Sequence, residues 1–174
     1  MSIEKVRAYF ASLGIADRIR EFTVSSATVE LAAAALGCDG AHIAKTMSFM
    51  TPEGAILVVA AGDARIDNHK YKETFHVKAK MLSADEVEPL VGHPVGGVCP
   101  FVPSDGVRVY LDASLRRFDT VYPACGSPSS AIGLTIPELE KYAAPPAASP
   151  QSKRRLWQLT VSAALLLAVV ALTN

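Results

Sequence analysis

The stretch GHPVGGVCPFVP, residues 92 to 103, gathers three glycines, three prolines, a histidine and a cysteine between two ordinary-looking elements. Three chemistries compete for it. A zinc site needs four ligands, or three and a water, and His93 and Cys99, six positions apart, have no second Cys or His pair near them in sequence. A cysteine nucleophile needs a base and an orienting group. The chain has four histidines, His42, His69, His76 and His93, and nothing in the sequence assigns one of them to Cys99. A buried, inert thiol is the plainer expectation for Cys99. The third chemistry belongs to the backbone: the pair Gly96 and Gly97 can present N–H groups to a carbonyl oxygen or a phosphate while Pro100 stiffens the turn. The same glycines equally suit a tight connection that needs positive φ.

Other segments carry chemistry of their own. If the strand through HIAKTMSFM reaches back to Ile43, then Ile43, Lys45, Met47 and Phe49 share one face, which sets a lysine in an apolar row. A charge in such a place serves a ligand or a buried partner; alternatively residues 41 to 45 form a helical turn and the ammonium snorkels to water. GDARIDNHK brings Asp63, Arg65, Asp67 and Asn68 together directly after an apolar strand, although Asp67 is also explained as a helix cap. CGSPSSA offers Gly126 with Ser127, Ser129 and Ser130, lacks the spacing of a hydrolase elbow, and reads either as a turn or as a hydrogen-bonding wall.

The elements that must hold these residues alternate in type. Ile3, Val6, Phe10 and Leu13 recur at helical spacing between Ser2 and Gly14, and a second, alanine-rich helix runs from Thr28 to Leu36 before Gly37. Lys45 to Met50 and Ala55 to Ala61 read as strands of a hairpin about the turn Thr51-Pro52-Glu53-Gly54. A helix begins at Asp67, and KAKML is a short strand candidate. Ser83 with Glu86 forms a capping box, and Leu82 with Val87 a staple, for a helix over 84–91 that Gly92 ends. VRVYL, TVYPA and AIGLT read as strands, and Thr135 with Glu138 caps a last helix, IPELEKYA. No internal repeat is visible.

Composition sets the outer limits. The 174 residues, half of them hydrophobic, bury one sizeable core, predicted as a single domain over 1–143. Seventeen basic and seventeen acidic residues cancel, which excludes binding of nucleic acid by bulk charge. Three widely spaced cysteines argue for a reducing compartment, and the charged N-terminus argues against a signal peptide, so a cytoplasmic location is expected. Residues 144–152, APPAASPQS, form a linker. Beyond it, KRR precedes nineteen uncharged residues, about 28 Å as a helix, close to a bilayer's hydrocarbon thickness. The segment 153–174 is therefore a candidate basic flank and membrane anchor, with 156–172 crossing. The alternatives are a helix packed back on the domain and a segment created by a shifted reading frame.

Taken together, AKTMSF, VVAAGDARID, GHPVGGVCPF, RRFDTVYPACGSPSSAI and LTIPELEKY, in that order from about Val6 to Tyr142, resemble the YbaK/prolyl-tRNA-synthetase-associated family of aminoacyl-tRNA deacylases. The resemblance implies a single mixed α/β domain: a barrel-like, largely antiparallel sheet ringed by helices, with the site in a pocket at the sheet. It implies hydrolysis of the ester joining a small amino acid to mischarged tRNA, with prolyl-type tRNA the expected acceptor, and with no cofactor and no metal. Mischarged tRNA is the expected partner, and an aminoacyl-tRNA synthetase a candidate second one.

The family's site lysine falls on Lys45, its loop on Gly96 to Pro100, and its Gly-Ser segment on Gly126-Ser127. Lys45, Gly96 and Gly97 are then the expected catalytic set, with the glycine N–H groups facing the carbonyl oxygen and a hydroxyl of the terminal ribose helping to activate water. Asp63, Asn68, Val98, Cys99, Pro100, Gly126, Ser127 and Ser129 are the expected substrate-binding set, with Cys99, Ser127 and Ser129 lining the aminoacyl pocket. The chain departs from the family at Val102, where glycine is common, and in its long tail. The main rival is a binding module that holds aminoacyl-adenosine or an amino acid without turnover. A redox protein using Cys99 or Cys125 is the second.

Overall fold

The computed structural model describes residues 2–143. The linker and the candidate anchor lie outside the described residues, among which no helix is long and apolar enough to cross a membrane. The order is α1 (Ser2–Ser12), β1 (Ile19–Glu21), α2 (Val29–Leu36), β2 (Ile43–Thr51), β3 (Gly54–Ala61), α3 (Asn68–Phe75), α4 (Ala84–Val91), β4 (Arg108–Leu111), β5 (Thr120–Pro123), β6 (Ser130–Ile132), β7 (Leu134–Thr135) and α5 (Ile136–Tyr142). Five strands form one mixed, curled half-barrel sheet in the order β4-β3-β2-β5-β7, while β1 and β6 form a second, two-stranded sheet. A bridge between Ala124 and Ala131 joins the two.

The hairpin is the centre of this architecture. Strand β2 runs antiparallel to β3 from Ala44↔Ala61 to Thr51↔Gly54, and β3 runs parallel to β4 on its other side. From Ile56 to Ala61 strand β3 is fully buried, because side chains from both of its faces meet core, and this explains an unbroken apolar run in place of alternation. One face carries the main core, where Phe10 of α1 meets Phe101 edge-on at 4.7 Å and Leu139 and Tyr142 of α5 close the far side. The opposite face packs Phe49, Ile56 and Val58 on Tyr71 of α3.

Local signals behave as their chemistry requires. Thr28 accepts from Leu31 N, Asp67 accepts from His69 N and Lys70 N, and both capping boxes form. Two expectations change, and one strand goes unforeseen. KAKML forms no strand; only Met81 bridges Phe49, through Met50 N to Lys80 O at 2.8 Å and Leu82 N to Ser48 O at 3.1 Å. AIGLT divides at Gly133, so that β6 pairs with β1 and β7 with β5. A Cβ at Gly133 would lie 3.1 Å from the Tyr122 ring, a tight contact at the point where the chain crosses between sheets. Strand β1, Ile-Arg-Glu, is too short and too polar to announce itself.

Candidate active site

The site begins with a ladder that stops early. Strand β5 pairs with β2 only at Ile43↔Tyr122 and Ala44↔Pro123 and then diverges. On the same edge, Ser48 O and Met50 N are engaged by the segment around Met81. Backbone polar groups alternate sides along a strand, so Thr46, lying between Ala44 and Ser48, turns its N–H and C=O into the gap. That gap is a cavity of about 330 Å³, bounded by β2 from Ile43 to Ser48, by Ser26 to Val29, by Leu82 and Val87, and by Val95, Gly96 and Val98.

Lys45 stands on this wall. Strand β2 does start at Ile43, so Lys45 shares its face with Ile43, Met47 and Phe49. Its Nζ donates to Gly62 O at 3.0 Å and to Ala64 O. These carbonyls belong to the turn after β3, brought within reach because Lys45 is paired with Ala60. An ammonium has three N–H donors, so one remains for a ligand. Burial pushes the lysine below its usual value; the Asp63 carboxylate opposes that shift and Arg65 adds to it.

The loop from Gly92 to Pro103 is fixed at both ends of its chemistry. Gly97 N donates to Pro94 O at 2.9 Å, closing a turn whose third residue, Gly96, has φ +82, as a type II turn demands. The Gly97 N–H is therefore engaged and does not face a substrate oxygen. Its glycine is required by packing, since a Cβ there would sit 2.7 Å from Ser127 Cα and N. His93 is fully buried: Nε2–H donates to Phe101 O at 2.9 Å and Nδ1 accepts from the Ser2 hydroxyl. Burial holds His93 below the usual histidine value.

Cys99, expected on the pocket wall, is fully buried in the main core, 3.6 Å from His93 Nε2, and burial pushes its thiol up to about 12. Its neighbour Val98 lines the cavity instead, while Pro100 is buried away from it. Cys125 is likewise buried and its thiol is raised by burial. Val102, where the resemblance expects glycine, has φ +45, a left-handed conformation that a β-branched residue rarely takes.

The remaining expected residues act at one remove or elsewhere. Gly126, at φ +84, has the backbone of Ser2 and Ile3 against the place of its missing Cβ, so it seats α1. Ser127 Oγ donates to Ser130 Oγ at 2.8 Å, and Ser130, not Ser127 or Ser129, reaches the cavity. Ser129 O accepts from Phe22 N at 2.8 Å and Pro128 O from Ser26 N at 2.6 Å, so this segment holds the 22–28 wall in place. Asp63 is exposed and paired to Arg117 Nη1 at 3.0 Å, which holds its carboxyl below the usual range. Asn68 is exposed at the start of α3, off the cavity. Thr46, Ser48, Met81 and Tyr122 line the cavity and were not singled out by sequence, although the polar alternation of Thr46 and Ser48 was a signal for the first two. Among the described residues no group of acidic, histidine or cysteine side chains could hold a metal.

A family model for the aminoacyl-tRNA editing domain matches residues 23–142. The chain belongs to that family. YwhH, an uncharacterized protein of Bacillus subtilis strain 168, is 50% identical to this editing domain over 143 residues, 82% of this chain and 91% of that protein. A solved structure described as that of a candidate trans-editing enzyme for prolyl tRNA synthetase superimposes with a TM-score of 0.74 at 27% identity, covering 85% of this chain and 95% of that one. The structure of hypothetical protein APE2540 does so with a TM-score of 0.72 at 29% identity, covering 79% and 93%. The mixed single-domain fold expected from the motifs is thus the fold of the editing domains, and editing is the function class of this chain.

Proposed function

We propose that this editing domain hydrolyses the ester between a small amino acid and the terminal adenosine of mischarged tRNA, acting in trans on a prolyl-type acceptor. The observation that carries the reading is Lys45, half-buried on the wall of a cavity of about 330 Å³ and oriented by two backbone carbonyls. The acceptor assignment draws on the likeness to the trans-editing structure.

An aminoacyl ester is already activated, so positioning water and stabilising charge on the carbonyl oxygen suffice without a protein nucleophile. The third N–H of Lys45 contacts the ester or the terminal nucleotide by a charge-assisted hydrogen bond. The donors offered to the developing oxyanion are Thr46 N–H, on the free edge of β2, and Gly96 N–H, which makes no backbone hydrogen bond among the described residues. Water adds to the carbonyl carbon, the bond to the ribose oxygen breaks, and that oxygen takes the proton, releasing amino acid and uncharged tRNA. Cys99 and Cys125 are too buried for the redox alternative to use them.

The test is hydrolysis of prolyl-type and alanyl-type tRNAs charged with Ala, Cys, Ser or Thr. Lys45→Ala is expected to lower kcat/KM by at least about 100-fold in a folded protein, the scale of a lost oxyanion donor. Undiminished turnover in folded Lys45→Ala would sink the mechanism, and no hydrolysis of any ester by the native chain would favour the binding module.

A further inference from the structure

Charge on this domain is unevenly partnered. Arg7, Arg18, Arg108, Arg116 and Arg117 each sit against a carboxylate. Residues 65–80, RIDNHKYKETFHVKAK, differ: they hold five cations, Arg65, Lys70, Lys72, Lys78 and Lys80, against Asp67 and Glu73, in a chain whose formal net charge is zero. Asp67 caps α3, and Glu73 lies beside His69. Arg65, Lys72, Lys78 and Lys80 are exposed and make no ion pair among the described residues.

Packing sets these four along one side of the cavity. Tyr71 and Phe75 turn inward, toward Phe49 and Tyr110, and leave Lys72 on the outer surface of α3. Val77 and Ala79 pack on the same cluster, so the alternate residues of this extended segment, Lys78 and Lys80, point outward. Lys80 O accepts from Met50 N at 2.8 Å, which ties the segment to the edge of β2, and the next residue, Met81, is exposed at the cavity. At the other end, Arg65 is close enough to Lys45 for its charge to act on that ammonium. The strip therefore flanks the cavity from Lys45 to Met81.

Clustered like charges repel one another, and a polyanion laid across them removes that cost. A cavity of about 330 Å³ has room for one small molecule, so most of a tRNA lies outside it. A chain of zero net charge draws no nucleic acid by its overall field, and its grip must be local.

Resting on the reading of this cavity as a tRNA-deacylating site, we propose that Arg65, Lys72, Lys78 and Lys80 form a docking strip for the phosphates of the tRNA acceptor stem, holding the duplex beside the mouth while its terminal ester enters. Lysine is a flexible point charge that contacts phosphate without reading sequence. The strip thus supplies affinity for tRNA in general and leaves the choice of ester to the cavity.

The test is binding of uncharged prolyl-type tRNA to the full chain by fluorescence anisotropy, repeated from about 50 to about 200 mM salt. Four phosphate contacts predict a slope of log Kd on log salt of about 3 to 4, a loss of roughly 50- to 150-fold in affinity across that range. Lys78→Gln/Lys80→Gln is expected to lower the slope by about 1.5 to 2 and to weaken binding at least about 10-fold at the low-salt end. Lys5→Gln/Lys141→Gln removes the same charge from α1 and α5, the helices on the main core, and should change neither. A native slope below about 1, a slope untouched by loss of Lys78 and Lys80, or an equal fall in both double variants overturns the proposal. Hydrolysis is scored separately, on aminoacyl-tRNA and on the aminoacyl ester of adenosine alone. The strip variant should lose about 10-fold in kcat/KM on the first, through KM, and stay within about twofold of native on the second. Equal losses on both would place the two lysines in the cavity's chemistry and refute a docking role. Steep tRNA binding by a chain that hydrolyses no ester defeats the deacylase reading and leaves the strip standing.

Discussion

At the scale of single residues, the site depends on where backbone and side-chain polar groups find partners. Lys45 is held by carbonyls it reaches only because β2 and β3 are in register, which leaves it one donor for a ligand. Val102 shows the opposite case, a side chain kept where glycine would be at ease. A non-glycine residue in the left-handed region costs on the order of 1–3 kcal/mol. Replacing it with glycine relieves that strain but loses a half-buried side chain and loosens the unfolded chain, each effect about 1 kcal/mol. Val102→Gly should therefore lie within about 1 kcal/mol of the native stability in urea denaturation. Val109→Gly, a partly buried strand position, should cost clearly more. Equal losses in the two variants would show that Val102 is unstrained.

At the scale of elements, the loop from Gly92 to Pro103 and the segment from Cys125 to Ser130 form one unit. They touch backbone to backbone at Gly97 and Ser127, and the second segment in turn carries the 22–28 wall through Pro128 O and Ser129 O. Adding a methyl group at Gly97 forces these layers apart. Gly97→Ala is expected to lower stability by about 1–3 kcal/mol, the usual cost of overpacking. It should also reduce kcat/KM for aminoacyl ester hydrolysis by displacing Gly96 and Val98. A thermal scan together with steady-state kinetics would check both, and a variant with native stability would refute the close approach. The sequence made the hairpin, four of the five helices' caps and the last helix legible, because each is specified by neighbours within a few positions. It misread KAKML and AIGLT, whose fates depend on which strand is free to pair with them.

At the scale of the whole molecule, His93 links the site loop to the N-terminal helix and the core. Its ring is fully buried, accepting from Ser2 and donating to Phe101 O. The other titratable groups about it are the Cys99 thiol, pushed up to about 12 by burial, and Lys5, whose charge disfavours protonation. The folded protein lowers the histidine's proton affinity below its ordinary value of 6.5. The unfolded chain therefore binds a proton in that range that the folded chain excludes, and unfolding takes up a proton. Stability is full above pH 6.5 and falls as pH drops through 6.5 toward the lower folded value. A series of urea midpoints between pH 8 and 5 should show this slope at about 6.5, and His93→Gln should flatten it while lowering stability at neutral pH. A slope unchanged in that variant would assign the proton uptake elsewhere.

By itself the sequence determined most of the order of elements, the family motifs, the absence of a bulk charge for nucleic acid and the placing of Lys45 in an apolar strand row, all carried by local spacing or by several motifs standing in one order. Tertiary structure decided which of the marked residues share a surface. It sent Cys99 into the core, gave Gly97's N–H to Pro94, made Gly126 a seat for α1 and moved Asp63 into an ion pair. It also brought forward Thr46, unremarkable in the sequence, by letting β5 leave the edge of β2 after Ala44. The physical reason is that a side chain's type follows from the chain alone, whereas a strand edge is free or covered only once the other strands have found their partners.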